Sequence, residues 1–179
     1  MIDFQFFKTK ILNLKSFFFS GLLLFFLSHS GCYSLSGISI DPNSKTFFVN
    51  QFENRAAFIE PIFSIDLTER LKDRIRSSSR LFLSENNADL TFSGVISNFY
   101  ISAEAPQAGA VPAFNRLNVS ISVELESAKN EKENWKKTFT RYVDFPNDQT
   151  FESVKTELMD EVIKQLVDDI FNEAFTKNW

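Results

Sequence analysis

From Leu117 to Glu126 every second residue is apolar. Leu117, Val119, Ile121, Val123 and Leu125 alternate with Asn118, Ser120, Ser122, Glu124 and Glu126. That is the period of a strand with one face buried and the other wet. The charged stretch AKNEKEN follows as a turn. Trp135 to Phe145 then forms a second long strand with Phe139 and Val143 inward, and the two make an antiparallel hairpin. Upstream, Leu90, Phe92 and Ile96 alternate, but Phe99 and Ile101 fall on the opposite parity. A change of phase inside one strand predicts a bulge near Ser97-Asn98. Thr46–Phe52 (TFFVNQF), rich in aromatic and branched residues, predicts a first strand, and Leu81–Ser84 a short one. ENRAAFIEP is a loop, and so is Ala105–Arg116, with two prolines and a glycine.

Two segments carry the helical period. Leu67, Leu71 and Ile75 recur every four residues and predict a helix from about Ser64 to Ser78, with Ser64 as N-cap. After Pro146, Thr150 caps a long final helix reaching about Phe175. Two adjacent apolar rows line it: Leu158, Val162, Leu166, Ile170, Ala174 and Met159, Ile163, Val167, Phe171, Phe175. Each step of four overshoots a full turn by about 40°, so the stripe winds around the helix. A sheet covers its first half, and the second half needs the first helix or another protein.

The predicted order is β-α-β-β-β-β-α. A strand–helix–strand start favours a parallel pair, and the later strands form an antiparallel meander. The expected fold is α+β, a two-layer sandwich with two helices on one face of a four- to five-stranded mixed sheet. The other face would expose Ser120, Ser122, Glu124, Lys136, Thr138, Thr140 and Tyr142.

The first 31 residues follow other rules. Lys8, Lys10 and Lys15 precede the uncharged run SFFFSGLLLFFLS, and Gly31 stands directly before Cys32. A basic start, a short apolar run and a small residue define a secretory signal. A cysteine at the cut resembles the lipobox of bacterial lipoproteins, whose thiol carries a diacylglycerol. His29 occupies the position where that box usually has leucine, and the nearest leucine is Leu27. An uncleaved anchor or a secreted protein with one free thiol are the alternatives. The expected division is residues 1–31 signal peptide, 32–44 tether and 45–179 domain.

Processing changes the chemistry. Of 19 basic and 23 acidic residues, three lysines and Asp3 leave with the signal, so 16 and 22 remain, a net charge of −6. Nucleic-acid domains are expected to be basic, so no nucleic acid is expected. The single histidine, His29, is removed and the single cysteine, Cys32, is blocked. Histidine-assisted nucleophilic sites and ordinary zinc sites go with them. Gly37, Gly94 and Gly109 lie too far apart for a phosphate loop. No catalytic residue, metal or cofactor is expected beyond the acyl anchor at Cys32. Acid–base work by carboxylates stays open, with Asp168-Asp169 and Glu152, Glu157, Asp160 and Glu161 as candidates by type. On a helix they suit its solvated face.

Two basic groups remain. Arg70, Lys72, Arg74, Arg76 and Arg80 crowd the end of the first helix, where cations complement the dipole. Arg116, Lys136, Lys137 and Arg141 lie on the hairpin strands, where a phosphate-bearing ligand would want them; they are the candidate lipopolysaccharide contacts.

The segments GCYSLSG, NRA (Asn54–Ala56), LTERLKDRI, ADLTFSGVISNF, NRLNVSISVEL, RYVDF and QLVDDIFNEAF resemble, in sum and in order, the lipopolysaccharide-assembly lipoprotein family, LptE. The resemblance implies a non-enzymatic accessory subunit on the periplasmic side of the outer membrane. It would lodge in the large LptD β-barrel, help that barrel assemble, and bind lipopolysaccharide on its way to the surface. Only Cys32 is carried over, as the lipidated residue. The alternatives are another lipid-anchored module for barrel assembly or the envelope, and a carboxylate hydrolase.

Overall fold

The computed structural model describes residues 41–58, 60–105 and 114–176. Cys32, the signal and most of the tether lie outside the described residues, as does most of the Ala105–Arg116 loop. The chain forms β1 (Thr46–Val49), β2 (Glu53–Asn54), α1 (Pro61–Ser78), β3 (Phe82–Leu83), β4 (Leu90–Glu104), β5 (Phe114–Ser127), a 3-10 turn (Glu131–Glu133), β6 (Trp135–Pro146) and α2 (Phe151–Phe175). These build one mixed sheet in the order β3-β1-β4-β5-β6, with β2 added beside β4. β1 runs parallel to both β3 and β4, while β4, β5 and β6 form the antiparallel meander. The α+β sandwich expected from the sequence is present, with a sixth strand, the two-residue β2, added to the five expected.

The bulge falls where the phase change placed it. The β4–β5 register skips Ser97 between Ile96 and Asn98. The extra residue turns Phe99 inward, and Phe99 joins Phe58, Phe63 and Phe151 in an aromatic cluster with centroids 5.3–6.2 Å apart.

Two expectations need correction. The first strand ends at Val49 rather than Phe52, because Phe52 turns its backbone toward α1. Its N–H donates to Thr68 Oγ1 at 3.1 Å, and its carbonyl accepts from the Ser64 hydroxyl. Pairing with β4 resumes at the next residue, Glu53, inside the expected loop, as β2. For the same reason Ser64 is not the N-cap. The helix starts at Pro61, with Glu60 as N-cap, because proline at the first helical position lacks only an N–H that has no helical partner. Ser64 sits within the first turns, buried, bonded to Phe52.

α1 and α2 run parallel. Glu60 faces Lys155 at 3.3 Å, Arg70 pairs with Asp160, and Arg74 with Asp168 at 3.3 Å. Both apolar rows of α2 find cover within the chain: Leu166, Val167, Ile170, Phe171 and Phe175 are all buried. Phe175 packs on Phe92 of β4, and the guanidinium of Arg74 lies over the Phe171 ring at 4.7 Å. The first helix thus supplies part of the cover.

Where the tether reaches the domain, Asp89 ties three segments together. Its Oδ2 accepts from the N–H groups of Lys45 (2.7 Å) and Thr46 (3.0 Å), and its Oδ1 pairs with Lys129 Nζ at 2.8 Å. The start of β1, the start of β4 and the β5–β6 turn therefore share one end of the sheet. The Lys129 ammonium first, and the Lys45 N–H second, hold the Asp89 carboxyl well below the usual carboxylate range.

Candidate functional surface: the open sheet face

Strand parity decides which residues face away from the helices. On β5 the apolar set is buried, so Arg116, Asn118, Ser120, Ser122 and Glu124 point the other way. Register extends them into rows across three strands: Ser93–Glu124–Lys136, Val95–Ser122–Thr138, Asn98–Ser120–Thr140, Tyr100–Asn118–Tyr142 and Ser102–Arg116–Asp144. All but Val95 carry a polar group. The β4 members were not among the sequence expectations, although the bulge already set their parity.

The rows are bonded internally. Ser120 and Thr140 hydroxyls lie 2.9 Å apart, Asn118 Nδ2 donates to Ser102 Oγ at 3.0 Å, and Lys136 meets Glu124 at 2.9 Å. Arg116 donates through Nε and Nη2 to the two oxygens of Asp144, at 2.6 and 2.9 Å. Its guanidinium lies 3.9 Å from the Tyr142 ring centroid. The Asp144 hydrogen bond raises the Arg116 pKa, and the two-point grip on Asp144 and the Tyr142 ring orient the guanidinium. Tyr100 and Tyr142 remain half exposed at either end of their row. A groove of about 420 Å³ opens at the β2 side of this face, lined by Gln51, Glu53, Ser93, Ser122, Glu124 and Lys136 among others.

The four candidate cations do not gather. Arg116 and Lys136 stand on the open face, but Lys137 and Arg141 have the opposite parity and reach α2. Lys137 pairs with Glu173 at 2.5 Å, and Arg141 grips Asp169 through Nε and Nη2 at 2.6 and 2.5 Å. That pairing raises the Arg141 pKa. A groove of about 510 Å³ runs between β6 and α2 there. On α1, Arg70 and Arg74 pair with α2, and Lys72 and Arg76 with Glu69 and Asp73 of their own helix.

Four of the six carboxylates once open to acid–base chemistry are held in ion pairs, and Glu161 accepts from Gln165. Asp168 meets Arg74 and Asp169 meets Arg141, so the adjacent pair faces two different elements. Asp160 pairs with Arg70 and Glu152 with Lys155. Among the described residues, no group of three or more His, Cys, Asp or Glu could hold a metal ion. The surface is chemically a hydrogen-bonding platform of hydroxyls, amides and neutralised charges.

The profile of the LptE family, described as lipopolysaccharide-assembly, matches residues 44–174. The chain belongs to the LptE family. The match takes in every strand, α1, and all of α2 but its last residue. LptE proteins are lipoproteins of lipopolysaccharide assembly, which makes this chain an envelope lipoprotein of LptE type. No curated protein matches the chain. Among solved structures, the hypothetical protein CT253 from Chlamydia trachomatis is similar in fold, with a TM-score of 0.50, 10% identity, and 73% of this chain and 98% of that one covered. A minor lipoprotein from Acinetobacter baumannii aligns with a TM-score of 0.45 and 14% identity over 73% of this chain and 95% of that one.

Proposed function

We propose that this LptE-family chain is the lipid-anchored accessory subunit of the outer-membrane lipopolysaccharide translocon. It is trimmed before Cys32, acylated there, and held on the periplasmic side of the outer membrane. Two or three acyl chains give a stable anchor where one would not. Its domain lodges in the large LptD β-barrel, helps that barrel assemble, and assists lipopolysaccharide insertion without catalysing a reaction.

The observation that carries this reading is the open sheet face. Both helices pack on one side, and the other presents polar rows across β4, β5 and β6. The lumen of an outer-membrane barrel is polar, so a hydroxyl- and amide-lined plate suits it where an apolar one would not. Of the candidate lipopolysaccharide contacts, Arg116 and Lys136 stand on that face. A phosphate meeting them joins existing pairs with Asp144 and Glu124. Lys137 and Arg141 would serve a ligand in the groove beside α2.

The test is affinity purification from detergent-solubilised outer membranes, with the partner identified by mass. One large barrel protein in stable complex is expected. Recovery of other envelope partners, with no such barrel, would favour a module of another assembly system. Protease added to intact cells should leave the domain untouched; digestion before lysis would contradict a periplasmic position.

A further inference from the structure

The most exposed large apolar side chain among the described residues is Phe82, at 73%, followed on the same two-residue strand by Leu83 at 38%. β3 is the outer strand of the sheet on the β1 side, so nothing in the sheet covers it. Its place matters more than its exposure. Phe82 is the register partner of Thr46, and its N–H donates to the Lys45 carbonyl at 2.9 Å. Lys45 follows the tether directly, and Thr46 is the first residue of β1. Eight residues, and so nine Cα–Cα steps, separate Cys32 from Asp41. At most about 3.6 Å per residue, that is a reach of roughly 30 Å.

We infer that Phe82 and Leu83 are a second, non-covalent foot of the domain, resting in the interface of the bilayer that holds the acylated Cys32. The inference rests on the proposed lipidation. Lys45 and Arg80 flank Phe82 on the backbone, both exposed, and neither has an ion-pair partner among the described residues. An apolar wedge between basic residues is the pattern that seats a protein on an anionic lipid surface. Glu85 is the nearby exposed carboxylate; Asp89 is already taken by Lys129. A single aromatic side chain binds lipid weakly. Tethering changes this, because a short link keeps the local concentration of membrane high and a weak contact becomes occupied. The foot sets an orientation: the Asp89 end of the sheet faces the lipid, and the aromatic cluster around Phe99 points away from it.

The experiment uses the mature lipidated protein in vesicles of phosphatidylethanolamine and phosphatidylglycerol. Acylation blocks Cys32, so Leu83→Cys offers one site for an environment-sensitive fluorophore, and Thr138→Cys on the open face is the control. Lipids carrying a shallow nitroxide should lower emission at position 83 at least about twofold and leave position 138 unchanged. Adding Phe82→Asp should abolish the loss at position 83. Equal quenching at both positions, in a protein whose mass shows the acyl chains, overturns the foot and leaves the anchor standing. A mass without acyl chains removes the anchor itself. Shielding of position 83 that grows with protein concentration in lipid-free detergent assigns β3 to a second copy and also overturns the inference.

Discussion

The ring of Phe52 lies against the bare Cα of Gly94: a β-carbon there would sit 2.6 Å from Phe52 Cδ1 and nearer still to Cε1. This contact joins the β1–β2 corner to the inner face of β4, and the hydrogen bonds to Thr68 and Ser64 lock it from the helix side. Gly94→Ala should therefore destabilise by about 1–3 kcal/mol, the usual cost of overpacking a tight core. Urea midpoints measure it. Phe52→Leu, destabilising alone, should reduce the added cost of Gly94→Ala, so the two changes should not be additive.

Asp89 makes acid the second test. Its carboxyl is held below its ordinary range in the folded state, so its contribution is complete at neutral pH. It erodes as pH falls below about 4, where the unfolded chain begins to take up a proton. Asp89→Asn should lower the urea midpoint at pH 7, and the gap to the parent protein should narrow steadily below pH 4. A gap that does not change with pH would mean the ionised carboxylate contributes nothing.

The Arg141–Asp169 grip is half exposed on the arginine side. A double-mutant cycle with Arg141→Ala and Asp169→Ala should give a coupling of about 0.5–1 kcal/mol, in the upper part of the range for surface pairs because both oxygens are engaged. High salt should shrink it.

If the acids of α2 are structural, neutral isosteres leave function in place. Asp168→Asn and Asp169→Asn should each still recover the barrel partner in the affinity experiment, with losses no larger than their effect on stability. A folded variant that keeps its partner yet fails in cells would revive the carboxylate hydrolase.

Much of this fold was legible because periodicity is a direct record of burial. The strict alternation of β5 reports its buried side, and the parity slip in β4 locates the bulge within a residue. The misplaced boundaries have one physical source. The Phe52 carbonyl accepts from the Ser64 hydroxyl, 12 residues away, and the Phe52 N–H donates to Thr68, and a local pattern cannot register a tertiary bond. The candidate site was half legible. Parity alone puts Arg116 and Lys136 on one face and Lys137 and Arg141 on the other. Their partners depend on strand register and on how α2 lies across β6, which no single segment encodes. Arg116 meeting Asp144 and Tyr142 is a product of register.

The unpaired residue in β4 has a consequence for how this sheet tolerates change. Upstream of Ser97 the even-numbered residues look toward the helices, and downstream the odd-numbered ones do. Ile96 and Asn98 already face consecutive residues of β5, so loss of Ser97 would join them into a regular strand with Phe99 still inward and Tyr100 still outward. A one-residue deletion is harmless to the plate only at the bulge; the same deletion at Phe99 or Tyr100 sends every residue beyond it to the opposite side.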